Sequence, residues 1–331
     1  MIDLHLHLDG SLSEQDFLYL AKKEGVSLGN DFPNNIYVPM DCKSLEEYLM
    51  RFDLPLKLLQ KKENIAHAVS SLVRRLYKMG YIYAEIRFAP QLHLEQGLTQ
   101  LEVAKAALNG LEEALKECED FEANLLLCCM RHGAEEVNME TIEVANKLKG
   151  TRVVGVDLAG AEAMHPSSYY KNVFDLAKKY RLNITIHAGE ATGSDEVMMA
   201  LDNGATRIGH GVHLDVDKDG GRAKKEDICF EFCPTSNLQT KSLKTYADVP
   251  LRKFMSNGIA LTINSDNMTV SNTDVYQEFS HLYQTFNLTK DEVYGFLLNS
   301  INHSFTNELV KARLRTKLKE RINKFYSQIA M

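Results

Sequence analysis

The chain has 331 residues, 44% of them hydrophobic and 25% charged, a composition that excludes a disordered or low-complexity polymer and fits a globular fold. Its formal net charge of −7, with basic residues spread among acids, argues against nucleic acid as a partner. No apolar run nears the roughly 18 residues that a membrane span requires, and the six cysteines, without a CxxC pair or a disulfide-framework spacing, read as reduced core thiols of a cytoplasmic protein.

A strand is predicted almost at once, over Ile2–His7, which leaves no room for a signal peptide. Side chains two apart in a strand point the same way, so Asp3, His5 and His7 share one face there. Helical patterns over Ser11–Glu24 and Ser44–Lys78, the latter read as two helices, lead to a second strand at Tyr81–Phe88. Thr99–Cys118 then precedes Asn124–Met130, Val137–Lys149 precedes Arg152–Leu158, and Ser167–Tyr180 precedes Asn183–His187. Asp195–Asp202 leads to Arg207–Gly209, a seventh strand follows at Ile228–Phe232, and Pro250–Asn257 leads to the eighth at Ile259–Asn264. Helical patterns around 274–286, 289–303 and 306–328 close the chain. Ser11 with Glu14 and Ser44 with Glu47 fit capping boxes, and Gly80 and Gly258 each stop a helix before a strand. No linker interrupts the series, so residues 1–331 are expected to form one domain.

Eight β units alternating with helices predict an α/β fold, a (β/α)8 TIM-type barrel with additional C-terminal helices. An open doubly wound sheet should have strands apolar on both faces. Here one face repeatedly turns polar towards the strand's C-terminal end, as a barrel with its active site at that end requires.

Those polar residues are His5 and His7 on strand one, His187 on strand five, His210 on strand six and Asp266 after strand eight. In a barrel these ends meet at one mouth. Any one of them alone reads as a loop or core residue; five at matching positions read as a site. Three imidazoles and a carboxylate suit Zn2+, with Fe2+, Mn2+ and Co2+ also compatible, and the lack of cysteine ligands points to catalysis. A coordinated water would become acidic enough to act as a nucleophile. Glu190, three residues beyond His187, is placed for general acid/base work. From the residues alone, His210 is either a fourth imidazole ligand or the group that takes a proton from that water.

His5-Leu-His-Leu-Asp-Gly10, Cys128-Cys-Met-Arg-His132, Asp157-Leu-Ala-Gly160, His187-Ala-Gly-Glu190, Gly209-His-Gly211 and Asn264-Ser-Asp266 together resemble the motif set of the adenosine deaminases, within the amidohydrolase superfamily. The motifs run in order over about residues 1–305. The resemblance implies one Zn2+ per chain on His5, His7, His187 and Asp266, with His210 orienting and deprotonating the bound water. Glu190 would give a proton to purine N1, and metal hydroxide would attack C6. Adenosine and 2′-deoxyadenosine would become inosine and 2′-deoxyinosine, with loss of ammonia. Gly160 would meet N3 through its backbone, and Asp9, with His7 nearby, would hold the ribose 5′-hydroxyl. Leu45, Tyr48, Leu49 and Phe52 look like the apolar helical gate of that family, at spacings that fit one helix face.

Asn267 departs from the familiar animal enzymes, which carry a second aspartate there to bond purine N7. An amide donates to that acceptor without first being protonated, so Asn267 is expected to keep the contact. Related enzymes acting on adenine tend to carry Glu after HxHL, and those acting on N6-methyl-AMP tend to carry Asn. Asp9 favours a nucleoside over a 5′-phosphate, and those two activities are the nearest alternatives. Two-metal amidohydrolases commonly place a bridging lysine or carboxylate after strand four. Asp157-Leu-Ala-Gly160 has no lysine, which favours a single ion. A non-catalytic deaminase-like binding protein would have lost a ligand or the acid, and neither is missing.

Overall fold

A computed structural model describes residues 1–39, 42 and 45–330, without the side chains of residues 45 and 46. The expected capping residue Ser44 and the side chain of the gate residue Leu45 therefore lie outside the described residues. Eight parallel strands run β1 (Ile2–His7), β2 (Tyr83–Phe88), β3 (Glu122–Met130), β4 (Val153–Ala159), β5 (Asn183–Ala188), β6 (Arg207–His210), β7 (Cys229–Phe232) and β8 (Ala260–Ile263). Each pairs with the next in sequence, in the order β1 to β8. The ring closes where the His7 amide donates to the Asp266 carbonyl at 2.7 Å and the Asp266 amide to the His5 carbonyl at 2.9 Å. Below that point the Asn264 side chain substitutes for backbone, its Oδ1 accepting from the Leu4 amide at 3.0 Å. The result is the expected (β/α)8 barrel.

The strands form because their outward side chains are aliphatic and pack under the surrounding helices. Their inward side chains are unusual. Glu85, Arg87, Asp157, Arg207 and Glu231 are all buried inside the barrel. Arg87 bonds Asp157 at 2.9 Å and Glu231 at 2.8 Å; Arg207 bonds Glu85 at 2.7 Å and Glu231 at 2.6 Å. Charges this deep are tolerable only when paired. Burial pushes the Glu231 carboxyl up, but Arg87 and Arg207 outweigh it and hold the group far below the usual carboxylate range.

The helices differ from expectation at three places. The capping box of the first long helix, Glu14–Glu24, is Ser13 with Asp16, not Ser11 with Glu14. Residues Asp9–Ser11 first form a 3-10 turn, and the Ser11 hydroxyl instead accepts from the Met268 amide at 3.1 Å. The predicted two helices over Ser44–Lys78 break into Leu45–Leu49, a 3-10 turn, Asp53–Leu58 and Lys62–Lys78. Pro55 explains the first break, since it has no amide hydrogen to continue a helix from upstream. Two short helices, Gly220–Lys225 and Pro234–Gln239, have too few residues to show a period and were not expected. Gly258 ends the Leu251–Asn257 helix in the left-handed conformation, as predicted. The three C-terminal helices are Val275–Phe286, Lys290–His303 and Glu308–Ile329, and Phe279 joins them through ring contacts to Phe296 and Phe325. Among the described residues, no helix is long and apolar enough to cross a membrane.

Glu278, in the Val275–Phe286 helix, is buried, with its carboxylate accepting from the Thr235 amide and the Thr273 hydroxyl. Burial pushes its carboxyl up to about 7, from an ordinary 4.5. Between those values the folded chain holds a proton that the unfolded chain releases, so stability falls as pH rises through this window. Glu278→Gln is therefore expected to melt higher than the parent above pH 7 and together with it towards pH 4.5. A melting series across pH checks this.

Candidate active site

The C-terminal ends of the strands surround a cavity of about 340 Å3. His7, Asp9, Gly160, His187, Glu190, His210, Asp266 and Asn267 all line it. His5 lies beneath, fully buried. A larger cleft, of about 950 Å3, opens at the opposite end of the barrel by Asn183 and Arg207 and contains none of these residues.

At the cavity floor, ring nitrogens of His5, His7 and His187 lie within 4.8 Å of one another, as do ligand atoms of His5, His210, Asp266 and Cys233. The buried network below fixes the rings. His5 Nδ1 meets the Glu231 carboxylate at 2.8 Å, and His187 Nδ1 meets Asp157 at 3.0 Å. A carboxylate only accepts, so both rings carry their hydrogen on Nδ1 and present an Nε2 lone pair upward. His5 Nε2 is buried with no hydrogen-bond partner, 3.5 Å from Asp266 Oδ1. His7 Nε2 lies 3.4 Å from the same oxygen and 3.2 Å from His187 Nε2. An orphaned lone pair facing a carboxylate is satisfied by a cation, and this donor set fits one.

Burial pushes His5 and His7 below their ordinary values, leaving neutral imidazoles suited to coordination. Burial also pushes His187 down, but Asp157 outweighs it and the ring ends above its ordinary value. Burial would raise Asp266, yet the His5 contact and the surrounding histidines hold it well below the usual carboxylate range. His210 and Asp266 have φ of 61° and 59°, a conformation that costs non-glycine residues energy and gathers at functional sites. Gly209 leaves room for two of the histidines: a Cβ there would sit 2.9 Å from His5 Cε1 and 3.2 Å from His187 Cα.

Glu190 stands at the side of the cavity. Its Oε1 accepts from the Thr240 hydroxyl at 3.0 Å and from Asn237 Nδ2 at 3.4 Å, and its Oε2 is 3.6 Å from His210 Nε2. The Asn237 amide also lies 3.0 Å from His210 Nδ1, so one side chain touches both residues. Asn267 Nδ2 bonds the Tyr48 hydroxyl at 2.8 Å, which bonds Ser271 Oγ at 2.8 Å. A Cβ on Gly10 would lie 1.9 Å from Asn267 Oδ1, so the glycine in the first motif makes room for that amide. Gly160 has φ of 107°, which favours glycine whatever approaches it. Tyr48, Leu49 and Phe52 line the cavity, where the gate was expected.

Sequence reading quoted Asp157 only as part of a motif, with no role behind His187, and missed Glu231 behind His5, Arg87 clamping both carboxylates, and Asn237 and Thr240 on Glu190. Arg131 was likewise quoted only within a motif; its buried guanidinium bonds the His187 carbonyl at 2.6 Å. The available signal was charge inside apolar strands, as in Cys229-Phe-Glu231-Phe. Asn237 and Thr240 sit on and after the short Pro234–Gln239 helix, which had none.

A family model described as adenosine deaminase matches residues 1–321. An adenosine deaminase of Haemophilus ducreyi is 43% identical over 330 residues, covering 97% of this chain and 96% of that protein. The solved structure of an adenine deaminase from Arthrobacter aurescens superposes with a TM-score of 0.86 at 24% identity, over 97% of this chain and 98% of that one. An N6-methyl-AMP deaminase from Arabidopsis thaliana gives 0.85 at 26% identity, over 98% and 97%. Both superpositions bear out the barrel.

Proposed function

The chain belongs to the adenosine deaminase family, and from that premise we propose that it hydrolyses adenosine and 2′-deoxyadenosine to inosine, or 2′-deoxyinosine, and ammonia. The observation that carries this reading is the convergence of three imidazoles and Asp266 at the floor of a cavity that also holds Glu190 and His210. His5, His7, His187 and Asp266 would hold one Zn2+, and the whole of 1–331 would act as one catalytic unit. A bound Zn2+ would supply a Lewis acid that brings the pKa of a coordinated water towards neutrality.

The chain's own residues would do the rest. Glu190 would pass a proton to purine N1, drawing electron density out of the ring and opening C6 to water. His210 would accept the proton that this water loses on Nε2, with the Asn237 amide half-turned so that its Oδ1, otherwise buried without a partner, takes the Nδ1 hydrogen. The proton on His210 would then pass to the C6 amino group, which leaves as ammonia, while the C6 hydroxyl returns a proton to Glu190 and becomes the carbonyl. Gly160 would meet N3 with its backbone, and Asp9 would accept from the 5′-hydroxyl. A 5′-phosphate would bring negative charge to that carboxylate. The apolar wall of Leu49, Phe52, Leu56 and Met130 would exclude other water from the ring. All six cysteines are buried thiols, which supports a reducing, cytoplasmic setting.

Asn267 would donate an amide hydrogen to N7. An amide and its half-turn are equivalent in shape. With Oδ1 towards the Tyr48 hydroxyl, the amino group becomes free to donate. Asn267→Ala is expected to weaken deamination far more than metal content, and unchanged kinetics would remove it from the site. Tyr48→Phe is expected to raise KM about fivefold, the size of one hydrogen bond of about 1 kcal/mol, with metal content unchanged. Steady-state kinetics with metal analysis checks both. An absorbance assay across adenosine, 2′-deoxyadenosine, adenine, AMP and N6-methyl-AMP tests the substrate class. Faster turnover of adenine or of either nucleotide would overturn the nucleoside reading.

A further inference from the structure

We infer that Glu162 is a positioning residue for Glu190 and that it sets the spacing between the loop carrying Glu190 and the loop carrying Gly160. The inference rests on the proposed role of Glu190 as the proton donor. Glu162 follows Gly160 by two residues beyond β4 and is only 4% exposed. Its Oε1 accepts from the amides of Gly189 at 2.9 Å and Thr192 at 3.2 Å, and from the Thr192 hydroxyl. Its Oε2 accepts from the amides of Glu190 at 3.0 Å and Ala191 at 3.3 Å.

Four consecutive amides thus converge on one carboxylate, an anion nest whose anion is supplied by another strand's loop. The grip falls on the amide of Glu190 and on its neighbours on both sides. The carboxyl of Glu190 is held separately, by Thr240 and Asn237 across the cavity. Glu190 is therefore braced at both ends, and only the Glu162 brace refers it to Gly160. N1 and N3 belong to one six-membered ring. The loop that would meet N3 and the loop that would protonate N1 must keep a fixed separation, and Glu162 ties the loops themselves, beyond the Asp157–His187 contact at the strand ends. Without it, the amides of 189–192 lose four acceptor contacts, while the Gly189 carbonyl keeps its bond from the His213 amide and the Glu190 carboxyl its bonds from Thr240 and Asn237.

Glu162→Gln keeps the size but turns an amino group towards amide donors. The test is a double-mutant cycle with Glu190→Gln, reading kcat, KM, metal content and the inhibition constant of 1-deazaadenosine, which lacks the N1 atom. A misplacement of about 1 Å can cost about a hundredfold, so Glu162→Gln is expected to lower kcat roughly ten- to hundredfold. KM, metal content and 1-deazaadenosine affinity should each stay within about twofold, and in the Glu190→Gln background the same change should cost less than about twofold more. Equal losses in both backgrounds, or an unchanged kcat, would overturn the inference. Glu162→Asp, which keeps the charge with a shorter reach, takes the place of the amide in the same cycle if the first variant does not fold. A fully active Glu190→Gln would mark the separate failure of the proposed proton donor, and of this inference with it.

Discussion

Glu190→Gln is expected to lower kcat by about 10²–10⁴-fold, the usual contribution of a positioned general acid, while KM and metal content stay near those of the parent. The substitution is nearly isosteric. The glutamine oxygen can still accept from the Thr240 hydroxyl, which now lies 3.0 Å from Oε1. None of the residues assigned to the metal is changed. On the proposed reading, the variant would lose only the ability to hand a proton to N1. Without that proton the ring keeps its electrons and C6 resists addition, so the loss should fall on the chemical step. An equal fall in metal content would instead make Glu190 part of the metal site. Unaltered kcat would remove it from the reaction.

Stripping the metal with a chelator is expected to abolish deamination and to lower the melting temperature, with both restored by Zn2+. The effect on stability follows from linkage: a ligand that binds only the folded chain, present at about 1,000 times its dissociation constant, stabilises it by about 4 kcal/mol. The side chains assigned to the ion are also placed to gain from it. Asp266 Oδ1 faces Nε2 of His5 at 3.5 Å and of His7 at 3.4 Å, and His5 Nε2 is buried without a partner. Calorimetry with and without the chelator reads the stability change. Activity at full strength in metal-free protein would contradict the ligand assignment. Unchanged melting would mean that these side chains are already satisfied by one another.

The barrel was legible because its strands are short apolar runs set between longer helical periods, and β1 was predicted to the residue. Those strands end where their side chains turn polar, so His5, His7, His187, His210 and Asp266 were visible as a set before any contact was known. What lay hidden depends on neighbours distant in sequence. Glu231 is 226 residues from the His5 ring it orients, and no local pattern announces that pairing. Arg87 was visible only as a charge out of place in β2; its two carboxylates come from β4 and β7. Asn237 belongs to a helix of six residues that begins at Pro234, too short for a period to emerge. Asn267 was legible as a donor, but its bond to Tyr48 depends on how the segment after β1 folds over the mouth. The misplaced cap shows the converse: Ser11 had the right residue type, yet the chain first turns through Asp9, and the cap falls two residues later.

The most direct test is to add Zn2+ stepwise to metal-free protein and follow loss of the adenosine absorbance band together with ammonia release. The account predicts that both rates rise together and level off at one zinc per chain, the number that the single ligand set of His5, His7, His187 and Asp266 would take. An adenosine spectrum unchanged at every zinc loading would contradict it.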